Sequence, residues 1–132
     1  MSGIRSLALA TLVVDDYDKA IAWYSDVLGF RLTADAALGG GKRWVTLHVQ
    51  NGSGLLLALG ADDAQRAAIG NQTGGRVAFF LHTDDFARDH AAMLGKGVRF
   101  MEAPRQEPYG QVAVFADLCG NLWDLIEPAK GA

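Results

Sequence analysis

The sequence contains the same pattern twice, and this internal repeat constrains the fold more than any other feature. Residues 13–31 read VVDDYDKAIAWYSDVLGFR, and residues 82–99 read HTDDFARDHAAMLGKGVR. Each copy has an Asp-Asp pair, an aromatic residue, a short amphipathic stretch, and then Gly, an apolar residue and Arg. A repeat at about half the chain length predicts two similar modules around one shared centre. We expect the function to lie at that centre.

The composition excludes several classes of protein. The chain has 132 residues, of which 50% are hydrophobic and 20% charged, so one globular domain is expected. The net charge of -3 gives no basic surface for nucleic acid. No apolar run reaches the roughly 20 residues of a membrane helix, and no secretory pattern is visible. Cys119 is the single cysteine, which excludes an internal disulfide and leads us to expect a cytoplasmic protein.

Apolar runs and turn residues predict an α+β fold. In each half a strand is followed by an Asp that caps a helix, Asp16 or Asp85, and the helix stops at Gly29 or Gly97. Eight strands are predicted, at residues 7–14, 30–35, 43–49, 55–59, 76–83, 99–103, 111–116 and 121–127. The order is β-α-β-β-β twice in one domain: module one at about 4–60, a connector at 61–75 with a short helix at 62–69, and module two at about 76–128.

Two segments carry a resemblance to a known superfamily. VDDYDKAIAWYSDVLGF (14–30) and DLCGNLWDL (117–125) resemble motifs of the vicinal oxygen chelate superfamily, the second resembling its Asp-Pro-Asp-Gly-Asn turn. That superfamily includes glyoxalase I, fosfomycin-resistance enzymes, extradiol dioxygenases and bleomycin-resistance proteins, and the resemblance covers residues 4–128. It implies two modules whose curved sheets form an eight-stranded cup, usually completed in a homodimer.

The resemblance also implies where a divalent metal would bind in the enzymes of the superfamily. The four corresponding positions are one in the first strand and one in the last strand of each module: Leu9, Ala58, Ala78 and Asp124. Leu and Ala have no lone pair to donate, and one carboxylate cannot hold a catalytic ion that needs three or more protein ligands. We therefore expect no metal and no other cofactor.

Strand alternation then predicts the lining of the cup. The predicted ligand-binding residues are Leu9, Trp44, Thr46, His48, Ala58, Ala78, Phe80, His82, Val114 and Asp124. Such a surface is mainly apolar and aromatic with a few polar points, as expected of a pocket for a small, partly aromatic organic molecule. Trp44 and Phe80 could equally be bulky groups that fill the cup, and His48 could be an ordinary core histidine. The segment 102–110, EAPRQEPYG, is long enough for a lid over the pocket.

Two functions stay open from the sequence. The first is a metal-free binding protein, for which sequestration of a small molecule suffices. The second is an enzyme, a lyase, isomerase or dioxygenase-type member of the superfamily. It would use Asp124 as a general base, because burial in an apolar pocket raises a carboxyl pKa, or a displaced metal site made of His48, His82 and Asp124. The role of Cys119 is not indicated by its neighbours.

Overall fold

A computed structural model describes residues 3–50 and 52–130. The chain divides into two compact units between Arg66 and Ala67. The boundary falls inside the short helix α2 (Asp63–Ala68), which corresponds to the helix predicted in the connector.

The first unit contains one β-α-β-β-β module. Its elements are β1 (Leu9–Val14), α1 (Tyr17–Leu28), β2 (Arg31–Gly39), β3 (Lys42–His48) and β4 (Gly54–Leu59). The four strands form a sheet in the order β1-β4-β3-β2, in which β1 and β4 are parallel and the other pairs antiparallel. Strand β2 runs beyond its predicted end because the β2–β3 turn is made at Gly40 and Gly41, both with positive φ.

The helix α1 covers one face of this sheet. Asp16 accepts a hydrogen bond from the backbone N–H of Lys19 (2.9 Å) and so caps the first turn, as predicted. Gly29 ends the helix in the left-handed conformation, with φ 73°. The helix contributes buried Tyr17, Ala20 and Tyr24. The buried sheet residues alternate along their strands and form the core of the unit: Leu12, Val14, Val45, Leu47, Leu55 and Leu57.

The second unit repeats the module with one additional strand. Its elements are β5 (Val77–His82), α3 (Phe86–Gly95), β6 (Arg99–Phe100), β7 (Arg105–Glu107), β8 (Gly110–Ala116) and β9 (Leu122–Pro128). The sheet order is β5-β9-β8-β6, and β7 also pairs with β8. Strands β5 and β9 are parallel, like β1 and β4. The predicted α+β class with two β-α-β-β-β modules is confirmed. The described residues form nine strands, in two sheets of four and five, rather than the eight that were predicted.

The additional strand arises where the sequence predicted a strand at 99–103 and a lid at 102–110. Strand β6 stops at Phe100, and Glu102 turns its carboxylate onto the backbone N–H of Val114 in β8 (3.1 Å). This side chain takes the place of a backbone carbonyl in the ladder. Pro104 cannot donate a ladder hydrogen bond, and pairing with β8 resumes at Arg105. The prediction of a lid is wrong for residues 105–107, because they form β7.

One buried carboxylate organises the turn between β8 and β9. Asp117 Oδ1 accepts hydrogen bonds from the backbone N–H groups of Cys119 (3.1 Å), Gly120 (2.9 Å) and Asn121 (2.8 Å). Its Oδ2 accepts from Asn121 Nδ2 (3.2 Å) and from the indole Nε1–H of Trp123 (2.9 Å). The turn and the core are thereby joined, since Trp123 is among the largest fully buried side chains.

No helix within the described residues combines the length and the apolar character that crossing a membrane requires.

Candidate functional site

Each sheet has one face turned away from its helix, which we call the open face of that sheet. In the first unit, strand register places Thr11, Leu56 and Thr46 in one row across β1, β4 and β3. Leu9, Gly54 and His48 form the next row. Alternation adds Trp44 and Ala58, so all five residues predicted for this unit share the open face. Trp44 is 43% exposed there, which is high for an indole.

A hydrogen-bonded cluster on this open face was not predicted. Thr33 lies in β2 where the pairing with β3 shifts between Leu32 and Ala34. Its Oγ1 lies 3.0 Å from the Thr46 carbonyl oxygen, 2.7 Å from Thr46 Oγ1 and 2.7 Å from His48 Nδ1. The irregularity breaks the alternation by which a sequence assigns faces, and it brings Thr33 to the polar residues of β3.

The open face of the second unit is centred on Asp124. The register places Phe80 of β5 and Val114 of β8 directly on either side of Asp124 in β9. His82 lies two residues along β5 from Phe80, and both side chains are exposed, Phe80 by 62%. Asp124 itself is only 6% exposed. An exposed aromatic ring therefore borders a buried carboxyl group.

The observed strand register gives several predicted site residues other cross-strand neighbours than a simple count along the sequence suggests. The β5–β9 pairing shifts between Val77 and Phe79, so Ala78 is the extra residue of the irregularity. In the first unit Leu9 pairs with Gly54, whereas Ala58 pairs with Val13. Leu9 and Ala58 are therefore four residues apart along paired strands, or about 13 Å. The strand register therefore does not place Leu9 beside Ala58.

Asp124 is electrostatically unusual. Its Oδ1 is buried and has no hydrogen-bond partner among the described residues. Burial raises the pKa of Asp124 above the ordinary value, and the positive charge of Arg105 opposes this rise while Glu102 adds to it. Arg105 does not pair with Asp124, because its guanidinium binds Glu102 (3.0 Å) and Glu107 (2.7 Å). The carboxyl group is held in an apolar setting with one acceptor atom unused.

The ligand-type side chains do not assemble into a metal centre. Among residues 3–50 and 52–130, no group of three or more His, Cys, Asp or Glu side chains is arranged to hold a metal ion. Of the alternative set, His48 lies in the first unit, and His82 and Asp124 lie in the second.

Comparison with known proteins assigns the chain a family. The family model described as Glyoxalase/Bleomycin resistance protein/Dioxygenase superfamily matches residues 6–125. An uncharacterized protein of Shewanella frigidimarina (strain NCIMB 400) is 47% identical over 126 residues, which cover 93% of each chain.

Two solved structures have a similar fold. TnmS3, an antibiotic binding protein from Streptomyces sp. CB03234, has a TM-score of 0.80 and 28% identity and covers 98% of this chain and 100% of its own. A Glyoxalase/bleomycin resistance protein/dioxygenase superfamily member from Sphaerobacter thermophilus DSM 20745 has a TM-score of 0.77 and 26% identity, with coverages of 94% and 98%.

Proposed function

The chain belongs to the Glyoxalase/Bleomycin resistance protein/Dioxygenase superfamily, and on that premise we propose that it binds a small, partly aromatic organic molecule without a metal ion. The observation that carries the proposal is the unused Oδ1 of Asp124 between Phe80 and Val114. A buried acceptor without a partner costs about 1–3 kcal/mol, and a ligand that donates a hydrogen bond to it regains that free energy.

Exposed aromatic rings on the open face of each sheet favour an aromatic ligand. Phe80 and Trp44 are 62% and 43% exposed on the open faces of their sheets, where a ligand ring can stack on them. TnmS3 is an antibiotic binding protein, which supports the proposal that this chain binds an organic molecule.

A thermal-shift screen of aromatic antibiotics and aromatic metabolites tests the proposal. A compound that binds only the folded protein raises the unfolding midpoint by mass action. We expect Phe80→Ala to weaken binding of the compound found, whereas Leu94→Ala, which removes an exposed leucine from α3, leaves it unchanged. Equal effects of the two substitutions would place the ligand elsewhere. About one metal ion per chain in protein purified without chelator would contradict the absence of a metal.

The raised pKa of Asp124 favours a second candidate function, an enzyme in which this carboxylate is a general base. Asp124→Asn separates the alternatives because it keeps the shape and removes the charge. For a neutral ligand of a binding protein, affinity changes by less than about tenfold. For a general base, binding persists while turnover falls by roughly 10²-fold or more. For a cationic ligand, affinity itself drops by about 2–5 kcal/mol.

We further propose that the protein is a cytoplasmic homodimer. Strands β1 and β5 are edge strands of their sheets, and an exposed strand edge favours association. Ile4 and Leu7, just before β1, are the most exposed large apolar side chains of the described chain. Light scattering of a particle with the mass of one 14.1 kDa chain at micromolar concentration would refute the dimer.

A further inference from the structure

The three contacts of Thr33 determine where its hydrogen atom lies. Thr33 Oγ1 lies within hydrogen-bond distance of Thr46 O, Thr46 Oγ1 and His48 Nδ1. The hydroxyl has one hydrogen and two lone pairs, and a carbonyl oxygen can only accept. All three contacts can be hydrogen bonds together only if Thr33 donates to the Thr46 carbonyl. The Thr46 hydroxyl and His48 Nδ1 must then both donate to Thr33.

This assignment fixes the tautomer of His48. A neutral imidazole carries its proton on one ring nitrogen and a lone pair on the other. With the proton on Nδ1, the lone pair is on Nε2. No hydrogen bond to His48 Nε2 is present within the part of the chain that the structure describes, and the ring is half-buried on the open face of the first sheet.

The opposite edge of the ring rests on a glycine. Gly54 pairs with His48 across β3 and β4, and a Cβ built on Gly54 would lie 2.7 Å from both His48 Cδ2 and Nε2 and 2.8 Å from the Leu47 carbonyl oxygen. The backbone of Gly54 is not in the left-handed region, so its conformation does not call for glycine. The missing side chain instead leaves the space that the His48 ring occupies.

We propose that Thr33 is a positioning residue that holds His48 as the Nδ1–H tautomer, so that Nε2 accepts a hydrogen bond from a ligand hydroxyl. The bound molecule would then carry an O–H group, as a phenol or an alcohol does, that reaches the open face of the first sheet. This inference rests on the proposed binding of a small organic molecule, since it names a chemical feature of a ligand bound on the open face of the first sheet. It assigns a role to Thr33, which contributes no charge and lies outside the predicted lining.

Nuclear magnetic resonance of the histidine ring nitrogens tests the tautomer without any ligand. In the protein at alkaline pH, we expect the proton of the neutral His48 ring on Nδ1. The His48 signals are identified by their loss in His48→Gln. Thr33→Val removes the hydroxyl at nearly constant volume and should move the proton largely to Nε2. Thr46→Val is the matched control, because Thr33 still bonds to the Thr46 carbonyl and His48 should keep its tautomer.

A backbone amide spectrum of each variant shows that the fold is retained. A proton on Nε2 of His48 in the unmodified protein would overturn the proposal, as would an unchanged tautomer in Thr33→Val.

The predicted hydrogen bond from a ligand hydroxyl is tested with two probes. Phenol carries an O–H donor, and anisole, its methyl ether, lacks that donor. We expect phenol to shift the His48 ring signals and anisole to leave them unchanged. Thr33→Val should weaken phenol binding by about fivefold, the effect of one ordinary hydrogen bond. Equal effects of the two probes, or none on His48, would overturn the assignment of the ligand class. The absence of any binder in the thermal-shift screen would instead refute the proposed function, while the tautomer measurement still stands.

Discussion

The buried carboxylate of Asp117 offers a strong quantitative test of how the second unit is held together. Its two oxygens accept at least five hydrogen bonds, three on Oδ1 from backbone N–H groups and two on Oδ2 from the side chains of Asn121 and Trp123. Asp117→Asn keeps the size of the side chain and replaces one acceptor oxygen by an NH₂ group that can only donate. In the less costly orientation the NH₂ group faces the two side-chain donors.

The expected loss follows from that count. A hydrogen bond to a charged group is worth about 1.5–3 kcal/mol, so two lost bonds cost about 3–6 kcal/mol in the free energy of unfolding. The remaining three bonds lose their charge assistance, which adds to the loss. The total stability of a domain is about 5–15 kcal/mol, and the variant should therefore be severely destabilised.

Urea unfolding followed by tryptophan fluorescence measures this effect. Asp63→Asn is the control, because Asp63 is fully exposed and only forms a surface ion pair with Arg66. We expect the midpoint of Asp63→Asn to stay close to that of the unmodified protein. A loss below about 1 kcal/mol for Asp117→Asn would refute the reasoning, since the turn would then be held by something other than the Asp117 carboxylate.

Three further predictions concern backbone space, charge and capping. Gly70 and Gly74 have nearly the same φ, but a Cβ at Gly70 would lie 2.0 Å from the Cys119 carbonyl oxygen and one at Gly74 meets nothing within 4 Å. Gly70→Ala should therefore lower the free energy of unfolding by about 1–3 kcal/mol more than Gly74→Ala, and equal losses in urea titrations would contradict the close approach. Because the pKa of Asp124 is raised, the folded protein keeps this proton to higher pH than the unfolded chain, and ionisation of Asp124 costs stability above the folded pKa. We therefore expect the free energy of unfolding of Asp124→Asn, relative to that of the unmodified protein, to be higher at pH 7 than at about pH 4. A higher relative value at pH 4 would show that burial does not disfavour the charged form of Asp124. Asp16→Ala should cost about 1 kcal/mol by removing the cap of α1, measured by the same titration, and no loss would show that the cap contributes nothing.

Much of the fold could be predicted because its signals are local. Asp16 and Asp85 each cap a helix. The side chain of each accepts a hydrogen bond from the backbone N–H of the residue three positions later, at 2.9 Å for Asp16 and 3.0 Å for Asp85. An Asp at the start of a helical pattern is visible in the sequence alone. Gly29 ends the first helix where a left-handed residue is needed. Because the sequence pattern is repeated, the order of strands and helix in the second unit could be predicted from that in the first.

The parts that could not be predicted depend on pairing between strands. Strand β7 follows Pro104, which donates no hydrogen bond to β8. Before Pro104, the Glu102 carboxylate accepts the hydrogen bond that a backbone carbonyl would otherwise accept, and pairing with β8 resumes at Arg105. This arrangement depends on the strand register and is not visible in the sequence. Thr33 joins the open face of the first sheet through an irregularity in β2. Ala78 is the extra residue of a similar irregularity in β5, so Phe80 is the β5 residue opposite Asp124. The alternation of side chains along a strand assigns residues to the correct face of the sheet only as far as the first shift in register.

The parallel closure of each sheet bears on how the chain folds during synthesis. Leu9 pairs with Gly54 and Val77 with Leu122, so in each unit the first strand finds its partner only when the last strand has been made. Contacts of such long sequence separation form late, because the entropy of closing the loop must be overcome first. While β4 is still inside the ribosome, the edge of β1 that it will cover is open to other chains. The time between the synthesis of β1 and β4, like that between β5 and β9, is therefore an interval in which an unpaired strand edge is open to aggregation.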